Sequence, residues 1–125
     1  MSQVTRTMQK IDHEGKQIVT IDCTNIGMHE LANEILTNEQ WVNQNYSSQN
    51  KALMLVDVSN CHIDMDALKA FQSSGKTSKE RTKGIAVVGI TGHRKILLDA
   101  VNKFSSLDTK TFNSREEAIE WLVSL

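Results

Sequence analysis

Apolar residues in this chain follow two different spacings. Met28, Leu31, Ala32, Ile35, Leu36 and Val42 recur at helical intervals, which predicts a helix through Gly27–Asn45. Asn25 supplies a start signal, and the polar run Asn43–Asn50 ends the helix as a surface loop. Leu53-Met54-Leu55-Val56-Asp57-Val58 and Ile85-Ala86-Val87-Val88 are nearly continuous apolar runs, the pattern of strands covered on both faces. Gln17–Asp22 alternates clearly and Val4–Ile11 weakly. With Asp12-His13-Glu14-Gly15-Lys16 between them as a turn, these two segments predict a hairpin.

Four further helical or strand segments complete the pattern. Asp64 fits a helix N-cap, with Ile63 and Leu68 placed as a hydrophobic staple, and Ala67, Leu68, Ala70 and Phe71 give one apolar side. This helix is expected to fray near Ser73-Ser74-Gly75. Lys76–Lys83 then reads as a basic, solvated segment, either a helical extension or a loop. Thr91 can cap a helix running to about Phe104, burying Ile96, Leu97, Ala100, Val101 and Phe104. Thr109–Phe112 predicts a short strand. Ser114-Arg115-Glu116-Glu117 has the form of a capping box, followed by Ala118, Trp121, Leu122 and Leu125 on one helical face. The order is ββαβαβαβα, an α/β class with a mixed sheet, because strands alternating with helices are joined by crossovers.

Composition narrows the function classes. At 125 residues the chain is expected to form one domain, and a chain of this length buries roughly two-thirds of its unfolded surface without needing a staple. The net charge of −1 argues against a dedicated nucleic-acid binder. No stretch reaches the roughly 20 apolar residues of a membrane span. The opening residues carry no apolar signal region, so the cytoplasm is the expected compartment and no stable membrane insertion is expected. Cys23 and Cys61 are the two cysteines and read as reduced, partly buried thiols. Charge is unevenly placed. Residues 1–66 hold four Lys/Arg against nine acids, a net of −5, and residues 67–125 hold ten against six, a net of +4. The halves either complement each other within the fold or define two differently charged faces that suit a protein or anionic partner.

Two segments carry candidate chemistry. The first is Thr91, Gly92, His93, Arg94 and Lys95, between a strand's carboxyl end and a helix start. That edge is where open α/β sheets bind ligands, and free N–H groups, a hydroxyl and two cations there suit an anion. Its spacing matches neither a Walker loop nor the dinucleotide fingerprint. The plainer reading is a tight turn with cations facing water, although cations at a helix start oppose the dipole. The second is Asp57, Ser59, Asn60, Cys61, His62, Asp64 and Asp66. These include metal-ligand types, but their spacing fits no zinc template. Asp64 reads as a cap and Asp66 as a first-turn acid. His13, His29, His62 and His93 form no visible catalytic set, no nucleophile elbow is present, and Trp41 and Trp121 read as packing residues. No catalytic residue, cofactor or metal is assigned.

Ile85–Gly92, Lys95–Phe104, Lys110-Thr111-Phe112 and Glu116–Leu122, together with Leu55-Val56-Asp57-Val58-Ser59 and the element order, resemble the small bacterial STAS/SEC14-type proteins. These are grouped with the anti-sigma-factor-antagonist-like domains. The resemblance implies a curved mixed sheet with helices packed mainly on one face. It also implies a non-catalytic role, binding a protein partner or holding a small ligand. In phospho-regulated members an Asp-x-Ser strand exit precedes a phosphorylatable residue at the next helix start. Asp57 and Ser59 match that exit, and ungapped placement puts Asp66 at the acceptor position. Asp66 cannot accept phosphate from a serine kinase, so the usual switch is not expected, and its carboxylate would present a permanent charge instead.

The expectation is therefore a STAS-like domain that binds a protein partner through Asp57, Ser59, Asn60, His62, Asp64 and Asp66. The alternative is an anionic or lipid-like small molecule held at Thr91–Lys95. The sequence leaves the oligomeric state open, a homo-oligomer included.

Overall fold

The computed structural model of the protein describes residues 8–24, 28–59, 66, 69, 70, 80–89 and 109–125. Five strands form one sheet: β1 (Met8–His13), β2 (Lys16–Asp22), β3 (Ala52–Asp57), β4 (Thr82–Val88) and β5 (Thr109–Phe112), in spatial order β1-β2-β3-β4-β5. β1 pairs antiparallel with β2, and the other three pairings are parallel. Helix α1 (Met28–Asn45) joins β2 to β3, and α2 (Arg115–Ser124) follows β5. The helices expected from Asp64 and from Thr91 lie outside the described residues apart from the helical positions Asp66, Lys69 and Ala70.

The hairpin turn is tighter than the sequence suggests. Strand pairing runs through His13 and Lys16, leaving Glu14 and Gly15 as a two-residue loop. Both have positive φ, 51° and 79°, the backbone that matches the twist of two antiparallel strands. Glycine adopts it without penalty and Glu14 does not. The basic segment Lys76–Lys83 also needs correction at its end. Thr82 and Lys83 belong to β4, and Thr82 is buried opposite Ala52.

Alternation sorts the core into two layers. Val19, Ile21, Met54, Val56, Ile85 and Val87 face α1, where Leu31, Ile35, Trp41 and Val42 cover them together with helical Ala70. Ile18, Leu53, Leu55, Ala86 and Val88 face the other way and are covered by Ala118 and Leu122 of α2. β3 is buried at all six positions because it is central and covered on both faces. Trp41 is buried, as its reading as a packing residue requires, and Cys23 is a free thiol that is fully buried where the sequence suggests partial burial.

α2 forms where its local sequence directs. Ser114 is extended (φ −141°, ψ 156°), and its side chain accepts the Glu117 N–H at 3.3 Å, the first half of the expected capping box. At the other end Lys16 Nζ donates to the Val123 and Leu125 carbonyls at 2.5 and 3.3 Å. A cation from β2 thereby meets the negative end of a helix with no base in its own last turn.

Candidate functional site

The carboxyl ends of β2, β3, β4 and β5 share one edge, because these four strands are parallel. The ends of β2, β3 and β4 each pass one more hydrogen bond to the next strand. Cys23 N–H donates to the Asp57 carbonyl at 2.8 Å, Val58 N–H to the Val88 carbonyl at 2.8 Å, and Gly89 N–H to the Phe112 carbonyl at a long 3.5 Å. The ladder therefore continues past the regular strands and fixes where each exit begins.

Asp57 is the centre of this edge. It is the last residue of β3, points to the α2 face, and is only 6% exposed. An isolated carboxylate there would cost several kcal/mol. Three donors offset that cost. Oδ1 accepts the Ser59 N–H at 2.9 Å and the Ser59 hydroxyl at 2.6 Å. Oδ2 accepts Arg115 Nε–H at 2.8 Å. Burial pushes the Asp57 carboxyl up, but the Ser59 hydroxyl and amide and the Arg115 guanidinium outweigh it and hold it below its ordinary value. Asp57 is thus an ionised strut whose oxygens are engaged, closing the turn out of β3.

Arg115 also approaches Asp22, register partner of Asp57, at 3.6 Å. Both side chains of that pair are about half exposed, so it contributes at most a few tenths of a kcal/mol. The Asp22 carboxyl is held low mainly by Thr24, whose N–H donates at 3.0 Å, and Arg115 adds a smaller effect. The bond from Arg115 to Asp57 is the one that matters. It joins the acidic first half of the chain to the basic second half across 58 positions.

Arg115→Met is expected to destabilise the protein by about 1–3 kcal/mol at pH 7, the cost of leaving a buried charged acceptor short of a donor. Because the folded Asp57 value lies below its ordinary 3.8, this contribution is complete above that ordinary value. It fades as pH falls through the folded one. Urea unfolding at pH 7 and at pH 3 should show the gap between variant and wild type shrinking in acid.

Of the expected contact residues, Asp57 and Ser59 are brought together, and Asp66 is an exposed helical residue. Asn60, His62 and Asp64 lie outside the described residues, as do Thr91, Gly92, His93, Arg94 and Lys95. Sequence reasoning misses Arg115. The signal was a cation at the first position of a helix, where it opposes the macrodipole. The conflict expected at Arg94 and Lys95 applies with equal force to Arg115. Gly89 was visible only as turn punctuation, yet with φ 97° it packs directly on Ser59. Among the described residues no three His, Cys, Asp or Glu side chains converge as a metal site, and no helix is long and apolar enough to cross a membrane.

The mixed five-stranded sheet, with helix α1 against one face and α2 against the other, is an α/β fold of the SpoIIAA-like type. The SpoIIAA-like family pattern matches residues 16–123, and the chain belongs to that family. Two solved structures share the fold. One is an uncharacterized protein of the DUF3478 family with a SpoIIAA-like fold from Shewanella loihica PV-4, at 13% identity and TM-score 0.65, covering 98% of each chain. The other is an anti-sigma factor antagonist from Mycobacterium paratuberculosis, at 19% identity and TM-score 0.53, covering 93% of this chain and 92% of that one. The search of curated proteins returns no match.

Proposed function

We propose that this chain is a regulatory, non-catalytic domain that binds a protein partner at the carboxyl edge of its sheet. The contact runs through the segment leaving β3, from Ser59 to Asp66, and does not depend on serine phosphorylation. One observation carries the reading. The Asp57 carboxylate ties the first turn of that segment to the sheet and to α2 through Ser59 and Arg115. A rigidly anchored exit lowers the ordering cost of an interface. The same engagement leaves Asp57 poorly suited to general-base work. Membership of the SpoIIAA-like family and the shared fold of an anti-sigma factor antagonist support a regulatory role.

The test is quantitative capture from lysate of the source cell by immobilised wild type, Asp66→Lys and Glu120→Lys. Asp66 and Glu120 are both exposed, so neither change should unfold the protein. Asp66→Lys is expected to lose a partner that Glu120→Lys keeps. Equal capture by all three contradicts the proposed surface. A small anion held at Thr91–Lys95 would instead appear as a thermal shift with phosphates that Arg94→Ala abolishes.

A further inference from the structure

The opposite edge of the sheet carries a second feature, independent of the partner-binding reading. A cavity of about 240 Å³ opens at the amino ends of the parallel strands, lined by Lys16, Lys51, Lys83, Gln17, Tyr46 and Asn50 over an apolar floor that includes Leu53. Its three lysines come from three neighbouring strand starts. Lys16 opens β2, Lys51 precedes β3, and Lys83 is the second residue of β4. Among the described residues no Asp or Glu lines it; Leu125 completes the lining, and its main-chain oxygen accepts from Lys16 at 3.3 Å.

The lysines are not equivalent. Lys16 is engaged by the Val123 and Leu125 carbonyls at the end of α2. That contact accounts for one cation and leaves two. Among the described residues neither Lys51 nor Lys83 has an acidic partner, and both are exposed. The Tyr46 hydroxyl donates to Gln17 Oε1 at 2.9 Å, which holds both polar side chains beside the cavity. Like charges gathered around one concavity repel each other and raise the local potential for anions.

We propose that this cavity binds a small polyanion, with Lys51 and Lys83 as the principal charges and Lys16 as a shared third. Lysine ammonium groups act on phosphoryl oxygens as point charges and need no planar geometry. An anion with several oxygens suits cations on three different strands better than a monovalent one does. The apolar floor contributes shape and no charge.

Inorganic triphosphate is the probe, titrated into ¹⁵N-labelled full-length chain at low salt. The expected result is saturable amide shifts centred on Lys16, Gln17, Asn50, Lys51 and Lys83, weakening as salt rises. The double variant Lys51→Gln/Lys83→Gln should bind about tenfold more weakly. Its thermal midpoint without probe should match wild type, because both side chains are exposed. Three results would overturn the proposal: no saturable shifts at this edge, shifts confined to another region such as Thr91–Lys95, or unchanged affinity in the double variant.

Discussion

Gly89→Ala is expected to lower the unfolding free energy by about 3 kcal/mol. Two costs combine. Gly89 has φ 97°, in the left-handed region where a Cβ costs roughly 1–2 kcal/mol. A Cβ there would also lie 2.5 Å from Ser59 Oγ, 2.6 Å from Ser59 N and 2.7 Å from Ser59 Cα. Two of those three atoms are backbone and cannot rotate aside, so the β3 exit itself must shift, at a typical overpacking cost of about 1–3 kcal/mol. The shift would also disturb both bonds from Ser59 to Asp57. Urea unfolding measures the loss. A change below about 1 kcal/mol would mean that the two exits are not locked together.

Leu122→Ala should cost a similar amount, about 2–5 kcal/mol. Leu122 is fully buried and packs with Ile18, Leu53, Leu55, Ala86, Val88 and Ala118. It is the largest fully buried side chain that α2 contributes, so its removal opens a cavity between helix and sheet. α2 also positions Arg115, so the same variant should weaken the hold on Asp57. Leu36, on the outer side of α1 and 39% exposed, provides the contrast. Leu36→Ala should stay within about 0.5 kcal/mol. Equal losses for the two leucines in thermal or urea unfolding would contradict the two-layer arrangement.

Much of this architecture is legible in the sequence, for identifiable reasons. β3 and β4 announce themselves because a central strand covered on both faces is apolar at successive positions. α2 is legible because its cap is local, with Ser114 and Glu117 only three residues apart. β1 is harder to bound. It is an edge strand in which only Met8 is buried, so its alternation is faint, and its observed span runs to His13. The start of β4 is hidden inside a basic run. Thr82 becomes strand by pairing with β3 and by packing its hydroxyl 4.0 Å from Met54 Sδ, contacts that local propensity does not register. Arg115 shows the same limit at the site. Asp57 and Ser59 can be found as an Asp-x-Ser exit, but the cation that stabilises Asp57 lies 58 positions away. Only the folded sheet brings them together.

The central claim is that an ionised Asp57, held by Ser59 and Arg115, organises the carboxyl edge of the sheet. A ¹³C NMR titration of the Asp57 side-chain carboxyl tests it most directly. The account predicts a midpoint below the ordinary aspartate value, moving upward in Arg115→Met. A midpoint at or above that value in the wild-type protein, unmoved by the substitution, would contradict it.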